Sequence, residues 1–384
     1  MSSELLSTVA LVRAESYERD RVDQAVADAV GRLGGWGRYV CPGMTVLLKP
    51  NMLSPRHPDQ AVTTHPQVVA AVARQVRACG ARVLVGDSPS AVKWDIERVW
   101  RETGLRQASR EEGFELVNFE AAGSRAVAID TRVFHIARPV LEADLVINVP
   151  KLKTHTLTLL SGALKNMYGS IPGFRKALWH KDAPRPRDFS QVIVDVFSAV
   201  QPQLTIMDAV VAMQGDGPSA GRPYRLGLVL ASTDAVAVDT VACRLIGLRP
   251  EKVHMIRLAA EAGLGMGHSE AIEVVGEAVR PVRKGTFRLP SNAIMELLPP
   301  VLVNLAGPLF WMRPKVDAAR CTGCQKCIEA CPVGALSVDG AMPRINHHVC
   351  VTCWCCHEIC PEQAVGIEKS WLARRLTADS LRGV

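Results

Sequence analysis

The feature that most constrains this chain is a cysteine pattern that occurs twice near its C-terminal end. The two copies are Cys321-x2-Cys324-x2-Cys327-x3-Cys331-Pro332 and Cys350-x2-Cys353-x2-Cys356-x3-Cys360-Pro361. Gaps of two residues let three thiolates of one loop face three metal ions of a compact cluster. The proline after each run ends the ligand segment, because a helix that follows it cannot extend toward the N-terminus past a residue that lacks a backbone N–H. The repeated pattern therefore predicts that this part of the chain binds metal clusters.

Eight of these cysteines fit the run that is typical of bacterial two-cluster ferredoxins. In that run the first three cysteines hold one [4Fe–4S] cluster, and the fourth ligates the other cluster. The predicted ligands are Cys321, Cys324, Cys327 and Cys360 for one cluster, and Cys350, Cys353, Cys356 and Cys331 for the second. Zinc sites are the alternative, but they usually separate two ligand pairs by roughly a dozen residues or more. We therefore predict two [4Fe–4S] clusters and a role in electron transfer.

The remaining four cysteines fit no ligand pattern. Cys355 lies inside the second run but out of register, so we interpret it as a bystander thiol beside the cluster. Cys41, Cys79 and Cys243 stand among apolar neighbours and are predicted to be small core residues. Thiolate ligands, together with a start that lacks a basic and apolar leader or twin arginine, predict the reducing cytoplasm.

The length of 384 residues predicts two or three domains. We expect an α/β domain at 1–295, an apolar Pro-rich linker at 296–314, a two-cluster ferredoxin domain at 315–370 and a tail at 371–384. The apolar stretch from Leu297 to Met312 is interrupted by three prolines. It is too short and too broken to span a bilayer, so we predict no transmembrane segment. Packing between domains is the favoured interpretation, and peripheral membrane contact stays open.

The formal net charge of +7 bears on the partners of this chain. The basic excess lies before residue 315 and is spread along the chain, while aromatic residues make up only 5%. A nucleic-acid surface would cluster its cations and interleave aromatics, so we predict no nucleic-acid partner. A small anionic ligand or an acidic redox partner suits this modest excess better.

Before the linker, short apolar runs alternate with amphipathic helical patterns. The predicted strands are 8–13, 45–51, 82–87, 115–119, 145–150, 204–210 and 226–232, and the predicted helices are 21–33, 66–80, 189–200 and 235–247. Nearly continuous apolar strands separated by such helices predict an α/β fold, with a mainly parallel sheet covered by helices. A small α+β ferredoxin-like domain would follow it.

Polar residues gather where these strands end, which is where parallel sheets place functional groups. The predicted substrate-binding residues are Lys49, Asn51, Asp87, Lys151, Lys153, Ser161 and Asp208, and the predicted catalytic residues are His155, Lys165, Tyr168 and His65. Ser161, Lys165 and Tyr168 would share one face if their segment were helical. A histidine, a lysine and a phenol on one pocket could supply proton donors and anion binders. The alternatives are solvated surface lysines and, for His65, a place at the start of a helix.

Other motifs carry weaker signals. No G-x-G-x-x-G follows the first strand and no Walker loop is present, so a classical nucleotide site is not supported. The turn from Gly215 to Pro218 suits either a phosphate loop or an ordinary tight turn. Cations and prolines between Gly173 and Arg187 predict a basic loop. That loop could be a lid over an anionic substrate, a docking site for an acidic electron donor, or simply solvated.

These motifs resemble the domain-of-unknown-function-362 family, whose members are described as iron–sulfur proteins with a fused ferredoxin. The resemblance rests on Lys49-Pro50-Asn51, Thr64-His65-Pro66, Gly86-Asp87-Ser88, the 150–169 block, Asp208, Gly217-Pro218 and residues 234–239. The 150–169 block is also distantly similar to lactate racemase, whose nickel-pincer cofactor attaches to a lysine after a Ser-Gly-Gly motif. Here Ala163 replaces the second glycine, and racemases carry no fused ferredoxin. That resemblance implies a related fold rather than related chemistry.

Three functions fit this sequence. The leading hypothesis is an iron–sulfur oxidoreductase, in which two [4Fe–4S] clusters relay electrons to an anionic small molecule in the large domain. The second is a non-catalytic electron-transfer module that docks a redox partner protein. The third is a metal or cofactor maturation factor. A closed pocket of inward-facing polar residues would favour the first, and a flat basic face would favour the second.

Overall fold

A computed structural model describes residues 7–90, 92, 94–283, 285–290, 311–340, 342–371 and 373–375. The strands are β1 Ser7–Arg13, β2 Thr45–Pro50, β3 Arg82–Asp87, β4 Glu115–Asn118, β5 Ser124–Ile129, β6 Arg132–Ala137, β7 Leu145–Val149, β8 Lys151–His155, β9 Leu159–Ser161, β10 Leu204–Gln214, β11 Arg222–Ser232, β12 Ile272–Gly276, β13 Met312–Val316, β14 Leu336–Asp339, β15 Met342–Ile345 and β16 Val365–Lys369. The helices are α1 Arg19–Gly31, α2 Pro66–Ala78, α3 Ile96–Glu102, α4 Leu105–Glu112, α5 Arg138–Glu142, α6 Ala163–Asn166, α7 Arg175–Asp182, α8 Pro186–Ala199, α9 Ala235–Leu245, α10 His254–Glu261, α11 Lys326–Glu329 and α12 Cys355–Ile359. We call residues 7–290 the large domain and residues 311–371 the cysteine module.

The large domain is built on a ten-stranded sheet with the order β12-β1-β11-β10-β7-β2-β3-β4, extended by β8 and β9 beside β10. Parallel pairs join β12 to β1 and continue from β10 through β7, β2 and β3 to β4. Only β11, between β1 and β10, runs antiparallel to both of its neighbours. The predicted α/β fold with a mainly parallel sheet is therefore confirmed.

Helices cover both faces of this sheet, as its apolar strands require. Helices α1 and α2 share one buried core with the strand faces that they cover. Helices α8, α9 and α10 belong to a second core on other strand residues. The two cores leave the ends of the central strands free to carry polar side chains.

The segment after Val149 departs from its sequence interpretation. Residues 151–155 were expected to follow a strand end, but they form strand β8, which pairs with β10 and β9. Ser161 ends strand β9, Lys165 lies in α6, and Tyr168 lies in a short 3-10 segment. These three residues therefore do not share one helix face, because the chain changes conformation at Gly162.

The basic segment also differs from its expectation. Residues 175–182 form helix α7 rather than a loop. Lys176, Ala177 and His180 are buried on one face of this helix, whereas Arg175 and Lys181 are exposed. These three buried residues have the i, i+1, i+4 spacing of one helix face. The sequence did not reveal that face as apolar, because two of its three side chains are polar.

The cysteine module consists of two short antiparallel sheets and two short helices. Strand β13 pairs with β16, and β14 pairs with β15. Strand β13 begins at Met312, before the domain boundary predicted at 315. The predicted linker, including the stretch from Leu297, and the predicted tail lie almost wholly outside the described residues.

The cysteines outside the repeated runs occupy different environments. Cys243 is buried in α9, as predicted, and Cys79 is half-buried. The core prediction is wrong for Cys41, which is exposed. Within the part of the chain that the structure describes, no helix is long and apolar enough to cross a membrane.

Candidate functional site

The cysteine module contains a small cavity that is surrounded by thiols. Its cysteines are Cys321, Cys324, Cys327 and Cys360, with Pro343 and Pro361 among the other lining residues. The fourth cysteine of the second run thus lies with the first three of the first run. Burial raises the pKa of the Cys327 thiol to about 11, and the charges of the other three cysteines add to this effect. A bound metal would oppose this rise, since a coordinating thiol is deprotonated.

The other four predicted ligands form a second group. Burial raises the pKa of Cys350, and the charges of Cys353 and Cys331 add to it. Burial also raises the pKa of Cys356, whose charged neighbours include Cys353, Cys350, Cys331 and also Cys327 of the first group. Cys353 and Cys356 of this group are buried. Cys356 packs with Cys327 inside the module, whereas Cys353 packs with Val92 of the large domain.

Backbone amides donate to the sulfur atoms of both groups. The Ala335 and Ala364 amides lie 3.2 Å from Sγ of Cys331 and Cys360, and the Thr352 amide lies 3.4 Å from Sγ of Cys350. Such donors stabilise thiolates. No set of three or more His, Cys, Asp or Glu side chains among the described residues is arranged to hold a single metal ion. Four thiols around a cavity, with amide donors behind them, fit an iron–sulfur cluster.

A second cavity lies where the cysteine module meets the large domain, and we call it the shared pocket. The large domain contributes Asn51, Leu53, Asp87, Ser88, Ser90, Lys153, Ser161, Lys165, Asn166, Tyr168, Gly169, Lys176, Ala177, His180 and Pro218, and the module contributes Ala330, Cys355, Glu358 and Ile359. Each module residue lies next to or between predicted cluster ligands in the sequence. The pocket therefore places large-domain side chains close to the predicted metal centres.

Hydrogen bonds hold helix α12 against this pocket. The Ser219 hydroxyl donates to the Glu358 carbonyl at 2.7 Å, and the Gln363 amide donates to the Ser219 carbonyl at 3.1 Å. Nε2 of His357 lies 3.3 Å from the Asp216 carbonyl oxygen. The glycine-rich turn at 215–218 thus contacts the module, and Pro218 lines the pocket.

Glu358 and His155 meet across the two parts of the chain. Nδ1 of His155 accepts from the Leu157 and Thr158 amides at 3.0 and 3.3 Å, so the hydrogen of the neutral ring lies on Nε2. Nε2 is 3.2 Å from Glu358 Oε1, although the two atoms are not aligned as an ordinary hydrogen bond. Burial lowers the pKa of His155 to about 4, so this ring is neutral at pH 7.

Lys165 is the second electrostatic neighbour of Glu358. Burial lowers the pKa of the Lys165 ammonium, and the Glu358 carboxylate partly opposes that effect. Burial raises the pKa of Glu358, but its interactions with His155, and then with Lys165, lower it overall. The ammonium lies 5.8 Å from the ring centres of Tyr168 and Phe189. Among the described residues, the Lys165 ammonium has no hydrogen-bond acceptor.

Lys153 and Lys176 are buried lysines whose ammonium groups are held by neutral oxygens. Lys153 donates to Oδ1 of Asn51 at 2.8 Å and to the Val62 carbonyl at 2.7 Å. Lys176 donates to the Ser88 carbonyl and hydroxyl at 2.7 and 2.8 Å, and also to the Pro89 carbonyl. Burial lowers the pKa of Lys153 well below its usual value and that of Lys176 to about 7. These hydrogen bonds hold the two amines in place without a partner charge, and the lowered pKa values favour the neutral amine more than in a solvated lysine.

His180 and Tyr168 complete the wall of the pocket beside α7. His180 is stacked on Phe189 with ring centres 4.0 Å apart, and its Nδ1 has no hydrogen-bond partner among the described residues. Burial lowers the pKa of His180 to about 3. The Tyr168 hydroxyl donates to the Lys176 carbonyl at 2.7 Å, which occupies its proton.

Lys49 and Asp87 form a buried ion pair at one side of the pocket. Their charged atoms are 2.6 Å apart, and Asp87 Oδ2 also accepts from the Met52 amide at 2.8 Å. The backbone of Gly169 passes so close that a Cβ there would overlap both charged groups. Asp87 lines the pocket, whereas Lys49 stands behind it.

A separate polar group contains the other predicted residues. Lys151 donates to Asp208 Oδ2 at 2.9 Å and to the Tyr17 hydroxyl at 2.7 Å. The His65 ring is stacked on Tyr17 at 3.6 Å, and its Nδ1 accepts from the Gln67 amide at the start of α2. None of Lys151, Asp208 and His65 lines the shared pocket. His155 and Lys49 do not line the pocket either, but each contacts a residue that does, Glu358 or Asp87. The structure therefore divides the predicted site residues between the pocket, its immediate surroundings and a separate buried network.

Sequence reasoning missed several residues of the pocket. Lys176 and His180 lay in the presumed loop, and Cys355 was interpreted as a bystander thiol. Glu358 carried no motif, although Cys355, Glu358 and Ile359 have the i, i+3, i+4 spacing of one helix face. That spacing, read together with the ligand register, was the available signal.

Comparison with known proteins gives a family for this chain. The family described as domain of unknown function (DUF362) matches residues 46–244, and the 4Fe-4S binding domain matches residues 314–337. A thylakoid-associated protein of Synechocystis sp. is 32% identical over 268 residues, which cover 70% of this chain and 82% of that protein.

Two solved structures share a limited likeness with this chain. One is the lactate racemase apoprotein from Thermoanaerobacterium thermosaccharolyticum, with a TM-score of 0.40 and 10% identity over 64% of this chain and 58% of that one. The other is a structural-genomics protein from Thermotoga maritima, with a TM-score of 0.39 and 14% identity over 61% of this chain and 60% of that one. This chain thus spans less than two thirds of either structure. By its sequence, the chain belongs to the DUF362 family and carries a 4Fe-4S binding domain in its C-terminal part.

Proposed function

We propose that this protein is an iron–sulfur reductase with two [4Fe–4S] clusters, which acts on an anionic small molecule in the shared pocket. The observation that carries the proposal is the composition of the pocket. Lys153, Lys165 and Lys176 come from the large domain, and Cys355 comes from between two predicted cluster ligands. When bound, the clusters would supply single electrons beside a cavity that these three lysines line.

The lysines would bind the anion and offset the negative charge that builds up during reduction. Lys153 and Lys176 are fixed by hydrogen bonds to neutral oxygens, so their amines are preorganised, and a bound anion would favour their protonated forms. Lys165 has an ammonium that is not committed to another acceptor among the described residues. It is therefore the cation best placed to contact a ligand directly.

Proton supply follows from the same contacts. Burial lowers the pKa of Lys165, which makes its ammonium a better acid than a solvated lysine. His155 does not line the pocket, and its neutral Nε2–H lies 3.2 Å from Oε1 of Glu358, which does. We therefore assign His155 the role of positioning the Glu358 carboxylate. The Tyr168 proton is already engaged with the Lys176 carbonyl, so we assign that residue a positioning role.

The proposal is tested with anaerobically purified wild type, Lys165→Met and Lys181→Met. Lys181 is exposed on α7, so it provides a matched loss of one ammonium outside the pocket. The reduced protein is mixed with a panel of small carboxylates and phosphate esters, and reoxidation of its clusters is followed by absorbance.

We expect at least one compound to reoxidise wild type and Lys181→Met, and Lys165→Met to react roughly 100-fold more slowly. Iron content should be equal in all three proteins. Equal reoxidation rates for Lys165→Met and wild type would contradict a catalytic pocket. A non-catalytic electron-transfer module or a maturation factor would then be the better proposal.

The compartment that we propose is the cytoplasm, because exposed and half-buried thiolate ligands need a reducing environment. This stands beside the thylakoid association in the name of the Synechocystis relative. Fractionation of cells followed by immunodetection separates a cytoplasmic protein from one bound to membranes.

A further inference from the structure

A groove opens between the cysteine module and the large domain, beside Cys324 of the first group of cysteines. Its walls include Arg56, Trp94 and Arg98 from the large domain, with Cys324, Lys326 and Glu362 from the module. We propose that this groove is the docking surface for an acidic one-electron carrier protein, which delivers electrons beside Cys324. The inference uses the proposed clusters but does not depend on what the shared pocket binds.

The exposure of the cysteines points to this groove. Cys324 is exposed, whereas Cys331, Cys350, Cys353 and Cys356 of the second group are half-buried or buried. Electron transfer weakens steeply with distance, so a carrier exchanges electrons fastest where a ligand reaches the surface. Among the predicted ligands, Cys324 is the one that meets this requirement.

The charged residues around Cys324 indicate what kind of carrier protein would bind in the groove. Among the described residues that line the groove, Arg56, Arg98 and Lys326 are cationic, and Glu362 is anionic. Arg56 is held by a hydrogen bond to the Cys360 carbonyl at 2.9 Å, and Lys326 lies 4.4 Å from the centre of the Trp94 ring. A preorganised positive groove attracts and orients an acidic partner.

The two cysteine runs of the module contribute equivalent residues to the groove and to the shared pocket. Lys326 and Cys355 occupy the same position in the two runs, each just before the third cysteine. Each follows a residue with left-handed backbone, Gln325 or Trp354, that starts its short helix. Lys326 lines the groove, whereas Cys355 lines the shared pocket. The equivalent helices α11 and α12 thus contribute to the groove and to the shared pocket. In our proposal, electrons enter from the carrier at the groove and leave toward the shared pocket.

The experiment uses the full-length, cluster-loaded protein and, as the probe, a reduced acidic flavodoxin, whose flavin absorbs differently from the clusters. The carrier loses one electron and the protein gains one, so the second-order rate constant is measured by stopped-flow absorbance at low and high salt. The variants are Arg98→Glu, Lys326→Glu and their combination. Arg249→Glu is the matched control, because Arg249 is exposed and lies outside the groove.

We expect the wild-type rate constant to fall as salt is added, because salt screens the attraction. The double variant should be roughly tenfold slower or more at low salt and nearly independent of salt. Arg98→Glu lies outside the cysteine module, so a slower rate there cannot come from damage to the ligand loops. All groove variants should be reduced by dithionite as wild type is, and their EPR spectra should match the wild-type spectra.

Three results would overturn the docking surface. They are unchanged rate constants in the groove variants, an equal loss in Arg249→Glu, and a wild-type protein that the acidic carrier does not reduce. Failure of the shared pocket as a substrate site would leave these measurements unaffected, because they follow cluster reduction alone.

Discussion

At the scale of single residues, the lysines of the large domain differ in the partners that hold them. Lys49 and Lys151 are paired with Asp87 and Asp208 at 2.6 and 2.9 Å. Such pairs hold the strand ends in place, since removal of one partner leaves an unpaired buried charge. Lys165 lacks a hydrogen-bonded carboxylate among the described residues and lines the pocket. A half-buried lysine without such a partner is suited to ligand binding.

His180 predicts a pH dependence of stability. Its pKa is lowered to about 3 by burial and by the positive charge of Lys165, while Glu358 opposes this effect. The unfolded chain therefore binds more protons below about pH 6.5, and stability falls as the pH drops from there toward 3. His180→Phe should lose less stability than wild type between pH 7 and pH 5. Denaturant unfolding under anaerobic conditions measures this difference, and identical losses would contradict it.

At the scale of elements, the periodicity of helix α12 directs some of its side chains to the shared pocket and others to the interior of the cysteine module. Cys355 and Glu358 face the shared pocket, whereas Cys356 packs with Cys327 and Cys360. Neighbouring residues on a helix point about 100° apart, so adjacent cysteines serve different surroundings. The short 3-10 segment after α6 is similarly constrained, because Gly169 lies against the Lys49–Asp87 pair.

The register of the cysteines gives a direct test of this separation. Cys355→Ser should keep both clusters, whereas Cys356→Ser should lose or convert one of them. Iron analysis and EPR of the reduced proteins measure the outcome. Equal damage in the two variants would mean that the ligand assignment around Trp354 is wrong.

Gly169→Ala should destabilise the large domain, because the added methyl group overlaps Asp87 and Lys49. Breaking a buried ion pair typically costs about 3–5 kcal/mol. Gly31→Ala is the control, since a Cβ at Gly31 meets nothing within 4 Å. Thermal unfolding should show a large loss for the first variant and little change for the second. A small effect of Gly169→Ala would show that the ion pair can shift.

At the scale of the whole molecule, the two predicted ligand groups imply a definite metal content. We expect about eight iron and eight acid-labile sulfide atoms per chain, because eight thiols suit two cubane clusters. Anaerobic iron and sulfide analysis, combined with EPR of the reduced protein, provides the count. A content of about two metal ions, mainly zinc, would contradict the assignment.

The sequence alone determined the features that are encoded by local spacing. The repeated cysteine runs specified a 4Fe-4S binding domain, and the apolar runs specified a mainly parallel α/β sheet. It also named Lys153, Ser161, Lys165 and Tyr168, which lie together on the pocket. Ligand spacing and strand hydrophobicity are properties of a few neighbouring residues, so they can be recognised before the chain is folded.

Only the tertiary structure decided which of these residues act together. It placed Glu358 against His155, and it joined Lys176 and His180 to a pocket from which Lys151 and His65 are absent. These relations arise where two separately patterned parts of the chain meet. Contacts between such surfaces depend on the three-dimensional packing of distant segments, so no local pattern in the sequence specifies them.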